Sequence, residues 1–287
     1  MLLVTRLVIR RLRLELLICL GASIALATLA CALAHTLAQA HIPGAVGSWM
    51  GLVPYTKAML IAAPVLAGLL IGISLVATEI ERGTSAFTWS VALNRRWWLA
   101  QTVLAGAALV IVISLPGALA SDQLSHAIGP RLDATALTTV DSAWALLLAR
   151  PLVAYAIAVL VSLVVGRSLP ALLVGLVATA IVLGAIEGGF SVLREAQTTV
   201  IDPSDAGVLY MGDGFVGPGA RIVTNLQAET AAHDLGIAFG ARYRPVSVGL
   251  TPGTRTATLV GQLALTTFSV VVLVAVAGLL VEHRRPT

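Results

Sequence analysis

The chain has 287 residues, of which 58% are hydrophobic and 11% charged, with a formal net charge of +4. A soluble globular chain is about a quarter charged, whereas a mean hydropathy of +0.95 belongs to a chain largely solvated by lipid. A soluble enzyme, a disordered chain and a nucleic-acid binder are excluded, and the pI near 9.6 requires no nucleic acid as partner.

The charges are segregated. Six stretches, 16–34, 58–78, 97–121, 142–166, 168–186 and 256–281, make up nearly half of the chain and hold a single charge, Arg150. Every other charged side chain lies between or beyond them. A charge in hydrocarbon costs several kcal/mol, which enforces such separation. About 20 residues of helix cross a hydrocarbon core roughly 30 Å thick, so each stretch predicts one transmembrane helix. No period-2 alternation indicates a membrane barrel. The predicted fold is all-α: a single membrane domain over 1–287 with six spans.

Residues 1–15 place Arg6, Arg10 and Arg13 at i, i+4 and i+7 beside a stripe of Leu3, Leu7 and Leu14. Such a basic amphipathic helix suits the inner membrane interface, with arginines toward anionic headgroups. A simple topogenic flank is the alternative. Span one ends in Ala32-Leu33-Ala34 and could imitate a signal peptide. Its apolar run, 16–34, is longer than a usual signal core, and five more spans follow, so retention is favoured. Cys19 and Cys31, twelve residues apart on one helix, cannot pair and read as small packing residues.

Between spans two and three lies Glu79-Ile80-Glu81-Arg82-Gly83-Thr84-Ser85-Ala86-Phe87-Thr88-Trp89-Ser90-Val91-Ala92-Leu93-Asn94-Arg95-Arg96. Gly83 can end the preceding helix and Thr84 can cap a new one. Phe87 and Val91 then share a face, and Arg95 and Arg96 return the chain to the membrane. The spacing predicts a short helix with aromatic residues between acidic and basic ends, suited to docking on a partner. On spacing alone, an ordinary interfacial hairpin has an equal claim.

Arg150 in span four has two placements. If the helix starts near 142, Arg150 lies at membrane depth, facing inward or snorkelling. If it restarts at Pro151, a favoured first helical position, Arg150 sits near the interface; that reading is preferred. Gly166-Arg167-Ser168-Leu169-Pro170 predicts a tight turn, and Glu187 reads as interfacial. Region 187–255, with eleven Gly and four Pro, predicts a turn-rich loop with one helix near 220–235.

Basic residues orient the chain. With the N-terminus inside, the inner segments 1–15, 79–96, 167 and 282–287 carry ten arginines. The outer segments 35–57, 122–141 and 187–255 are nearly three times as long in sum, yet carry only seven Lys or Arg. Both termini are therefore expected on the cytoplasmic side of the cell membrane, which leaves 187–255 outside.

There is no G-x-x-x-x-G-K-[ST], and Lys57 is the only lysine, so the chain holds no P-loop lysine. The five histidines are scattered and suggest no metal site. The string Asp213-Gly214 to Ala220-Arg221 is similar to a membrane phosphotransferase signature, but its five-residue gap and its position outside the spans favour a Gly-rich loop.

The string from Glu79 to Leu99 resembles permease subunits of type-2 ATP-binding-cassette exporters. Those read E-x-E-x-G-T, a short helix, then Arg-x-x-Trp-Leu between spans two and three. The similarity is greatest to actinobacterial members. Arg150-Pro151-Leu152-Val153-Ala154-Tyr155, then Val165 to Ala171, resembles their P-x-A-Y…G-x-x-R-x-x-P-A-M segment. Tyr243-Arg244-Pro245 before span six also fits.

The resemblance implies an interfacial N-terminal helix, a coupling helix between spans two and three, and re-entrant or capping helices before span six. It further implies two permeases, the same chain or a relative, joined to two ATP-binding subunits that hold ATP and Mg. This chain would bind no cofactor and would not itself be an enzyme. Glu79, Glu81, Gly83, Thr84, Phe87, Trp89, Arg95 and Arg96 would form the energy-coupling site. The expected substrate is a hydrophobic or amphipathic small molecule, a peptide or a lipid, exported by alternating access. A secondary transporter or channel without an ATPase is the alternative.

Overall fold

A computed structural model describes residues 12–39, 51–81, 95–128, 143–201, 209–216, 222–223 and 244–283. They contain six helices long and apolar enough to cross a membrane: α1 (Arg13–Gln39), α2 (Val53–Glu81), α3 (Arg95–Ile128), α4 (Trp144–Val165), α5 (Ser168–Ala196) and α6 (Pro252–His283). The fold is the all-α membrane bundle expected from the charge pattern.

Every helix but α4 has 27 to 34 residues and outruns its charge-free stretch. At about 1.5 Å per residue these helices reach roughly 40–50 Å, beyond the hydrocarbon core, so their ends project into the headgroups or the helices tilt. The charge-free stretch marks only the lipid-buried middle. Helix continues past it because its backbone groups still need partners. At the N-terminus, Arg13 is the exposed first residue of α1, while Arg6 and Arg10 lie outside the described residues.

Because successive helices alternate in direction, the end of α5, the start of α6 and the starts of α2 and α4 share one end of the bundle. A small antiparallel sheet stands there. It comprises β1 (Thr199–Val200), β2 (Leu209–Val216), β3 (Ile222–Val223) and β4 (Arg244–Leu250), in the order β1-β4-β2-β3. Thr199 pairs with Gly249, so the strand leaving α5 is bonded to the strand entering α6. Asp213 pairs with Ser247 within the sheet, on a strand beyond the spans. The turn-rich region thus also contains strands, and a strand stands directly before α6; the re-entrant or capping helices expected before span six fall on 224–243, outside the described residues. The expected helix at 220–235 lies almost wholly outside the described residues.

The centre of the bundle is α2, α3 and α4. In their most apolar windows, 56%, 50% and 61% of residues are buried, against 17%, 22% and 17% for α1, α5 and α6. Small residues bring the central helices together. A Cβ on Gly68 would stand 2.3 Å from the Pro151 carbonyl oxygen, and one on Gly72 2.6 Å from the Ala158 Cβ. This is a G-x-x-x-G face packed backbone to backbone. Tyr155, fully buried, fills the space left by Gly106 and donates its hydroxyl to the Val103 carbonyl at 3.0 Å.

α1 joins α3 through Ser23, whose Oγ donates to the Ile113 carbonyl at 2.6 Å, and Cys31, whose Sγ donates to Gln123 Oε1 at 3.2 Å. Cys19 and Cys31 pack against separate apolar clusters, as free thiols.

This packing predicts a contrast. Gly68→Ala forces a methyl into backbone that cannot yield, a cost of about 1–3 kcal/mol. Gly184→Ala on α5, where a Cβ meets nothing within 4 Å, should cost nothing. Thermal unfolding in detergent should show a lower midpoint for Gly68→Ala alone. An equal shift for both variants would refute this account of the helix contact.

Candidate functional site at the two ends of the bundle

The two ends of the bundle each carry a polar joint between helices. At the end opposite the sheet, α2 finishes on Glu79 and Glu81 and α3 starts with Arg95 and Arg96. Gly83, Thr84, Phe87 and Trp89, between them, lie outside the described residues. Glu81 reaches across to α5. Its Oε2 accepts from the Ser168 backbone N–H at 3.2 Å and from the Ser168 Oγ at 2.7 Å.

The reason is local. The first N–H groups of a helix have no intrahelical partner, and the α5 N-cap residue, Arg167, supplies no side-chain hydrogen bond. A carboxylate from another helix serves instead, and it also complements the helix dipole, a contribution of about 0.3–1 kcal/mol. The turn into α5 is tight, as expected, because Gly166 adopts φ 69° and ends α4 with its N–H on the Ser162 carbonyl. The left-handed region is open to glycine at little cost.

At the sheet end the joint is ionic and buried. Arg150 is 5% exposed. α4 begins at Trp144 and runs through Pro151 without restarting, which corrects the preferred reading of Arg150 as a helix start. Pro151 lies about two turns into the helix, where it removes one backbone N–H donor, a loss that membrane helices accommodate through neighbouring contacts. Arg150 Nη2 donates to Glu187 Oε1 on α5 at 2.5 Å. Glu187, whose side chain is 30% exposed, also accepts from Gln262 Nε2 on α6, at 2.9 Å to each carboxylate oxygen. Arg194 brings Nη2 to 3.9 Å from Glu187 Oε2 and bonds Nε to the Phe190 carbonyl at 3.2 Å. One carboxylate thus joins spans four, five and six.

Sequence reasoning singled out Arg150 and left Glu187 at the interface without a partner. It missed Gln262 and Arg194. The signal for Gln262 was available: it is a lone amide in an otherwise apolar stretch, ten residues inside α6.

An apolar pocket of about 330 Å³ opens between α1 and α2 in the half of the bundle nearest the sheet. Leu26, Leu29, Leu33, Leu52, Tyr55 and Met59 supply most of its wall. Its two threonine hydroxyls are turned back onto their own helices, Thr36 to the Leu33 carbonyl at 2.8 Å and Thr56 to the Leu52 carbonyl at 2.9 Å. The pocket therefore presents hydrocarbon and makes no polar demand on an occupant. Its volume is at the small end for ligand sites.

Among the described residues no group of three or more metal-ligating side chains gathers. Comparison with curated proteins and with solved structures gives no match. The family described as ABC-2 membrane transporter related matches residues 24–189, more than half of the chain, from span one through Glu187. The chain belongs to the ABC-2 membrane transporter related family and is a transporter permease with six membrane spans.

Proposed function

We propose that this permease is the membrane subunit of an ATP-driven exporter, powered by separate ATP-binding subunits that carry ATP and Mg. Two permease chains would pair in the complex. The arginine-rich end, with both termini, is cytoplasmic, and the sheet stands outside. Residues 79–96, with Phe87 and Trp89 as anchors, dock in a groove of the ATP-binding subunit. Closure of the ATPase pair on ATP then pushes this segment and rocks the spans between inward-open and outward-open states. The substrate is hydrophobic or amphipathic; the hydrocarbon-walled pocket between α1 and α2 supports that class.

The observation that carries the coupling is the Glu81–Ser168 joint. A push on the segment that follows Glu81 would move α2 and, through the cap, the start of α5. Force applied at one loop would therefore reach two spans.

Purification with an ATP-binding subunit encoded by a neighbouring reading frame, where one exists, tests the reading. A stable complex is expected, with ATP hydrolysis stimulated by amphipathic compounds. Transport by the permease alone, driven by an ion gradient, would identify a secondary transporter instead.

A further inference from the structure

We propose that Arg150 and Glu187 form the releasable latch of the sheet-end gate. The contact is made while that end is closed and broken as it opens, which makes Glu187 the positioning residue for the outer step of transport. The latch rests on the exporter reading only for the source of the force.

The pair is a poor adhesive. Desolvating two charges costs several kcal/mol each, and the attraction regained leaves a buried ion pair roughly even with apolar packing of the same volume. Leu or Met at both positions would hold a static joint as well. A contact that is nearly neutral overall, directional and strong only when made suits two alternating states better than one permanent state.

The surroundings also fit release. α2 and α4 are locked backbone to backbone at Gly68 and Gly72. On α5, by contrast, Gly184, Gly188 and Gly189 flank Glu187, and a Cβ on any of them would meet nothing within 4 Å. The glycine face at the end of α5 is thus unpartnered, whereas Ile186 and Arg194 are buried and Phe190 packs on Gly261 of α6. From α5 the chain continues into β1, which pairs with β4, and β4 leads into α6. Gln262 of α6 bonds to the same carboxylate. The ends of α5 and α6 are tied to each other by sheet and side chain. Arg150 stands on the other side of the joint, on the most deeply buried span. When the pair parts, the sheet-proximal ends of α5 and α6 tilt together away from Arg150 and keep Gln262 on Glu187, while the rest of α6 retains its extensive packing on α4. The carboxylate so retains a hydrogen-bond donor in both states, and 30% of its side chain is already exposed while the pair is made.

The test fixes the joint covalently. In a Cys19→Ala/Cys31→Ala background, Arg150→Cys with Glu187→Cys removes both charges together and leaves neither one stranded. The purified permease–ATPase complex is treated with a short bifunctional thiol reagent carrying a reducible spacer. The link should form in the resting complex. Transport into vesicles of an amphipathic compound that stimulates hydrolysis should fall about tenfold or more on linking and return on reduction. Equal transport with and without the link, or failure to link, overturns the latch.

The unmodified complex gives a second measurement. Amide hydrogen exchange over 185–196 and 252–262 should quicken when ATP turnover is trapped, and unchanged exchange there overturns the latch as well. The two readings separate cleanly. If linking stops a transport that needs no ATP-binding subunit, the exporter reading falls and the latch stands. If transport needs the subunit but ignores the link, the latch falls and the exporter reading stands.

Discussion

Replacing Phe87 and Trp89 together by Ala should reduce transport about tenfold or more, while the ATP-binding subunit goes on hydrolysing ATP. The expectation follows from what the segment contains. Its outer positions are acidic at Glu79 and Glu81 and basic at Arg95 and Arg96, and its centre carries the only two aromatic residues between 56 and 96. Charged groups at the rim of a contact steer association and set register, whereas desolvated aromatic anchors carry most of the affinity. Truncating one such anchor costs about 2 kcal/mol or more, so losing two, if they add, weakens docking by about three orders of magnitude. Neither residue lies in a span, so the amount of protein in the membrane should be unchanged. The comparison is made in vesicles containing both subunits, with transport and phosphate release followed on the same preparation. Normal transport by the double variant would sink the docking assignment, and loss of hydrolysis in step with transport would point to failed assembly.

The spans were legible because one physical cost dominates them. Charge is excluded from hydrocarbon, so a census of charges finds the six helices without knowledge of their packing. The same census could not place Arg150. Its local sequence, Ala149-Arg150-Pro151, is compatible with a helix passing through the proline or starting at it. The deciding partners, Glu187 and Gln262, stand on two later spans, far along the chain. Glu187 fell one residue beyond a charge-free stretch, and Gln262 bears no charge to count. The glycines teach the same lesson. Gly68 and Gly72 in α2 and Gly184 and Gly188 in α5 repeat at the same spacing, yet the first pair is pressed against α4 and the second meets open space. Helix periodicity is identical in the two, and only the neighbours differ. In the sheet, Val246, Val248 and Leu250 alternate as a strand should, but β2 contains Gly212 and Gly214 and a register shift between Tyr210 and Gly212, which disguised its period. Glu81 was readable as acidic and membrane-proximal. Its service as the cap of a distant helix was not, because capping by a side chain from elsewhere in the chain leaves no local spacing to detect.

Stability should respond to the Arg150–Glu187 pair in an order that charge alone does not predict. Glu187→Leu takes the carboxylate from an arginine that is 5% exposed, and removing one partner of a buried pair costs about 3–5 kcal/mol. That is a large share of the roughly 5–15 kcal/mol that holds a domain folded, so little folded protein should survive extraction. Arg150→Leu is milder. The remaining carboxylate keeps Gln262 as donor and Arg194 nearby, and its side chain is 30% exposed, which limits the loss to about 1–3 kcal/mol. The double variant, Leu at both positions, leaves no uncompensated charge in the pair and replaces it with apolar volume, a change that is often neutral; Gln262 gives up an acceptor, at about 1 kcal/mol, and Arg194 loses a carboxylate 3.9 Å away while keeping the Phe190 carbonyl. Unfolding midpoints in detergent should therefore rise from Glu187→Leu to Arg150→Leu to the double variant, with the last close to the parent. A double variant as unstable as Glu187→Leu would mean that the two side chains act separately. The expected order, with the second substitution rescuing the first, would establish that their energies are coupled. It would also show that the bundle can stand without the pair, as a latch requires and a structural keystone does not allow.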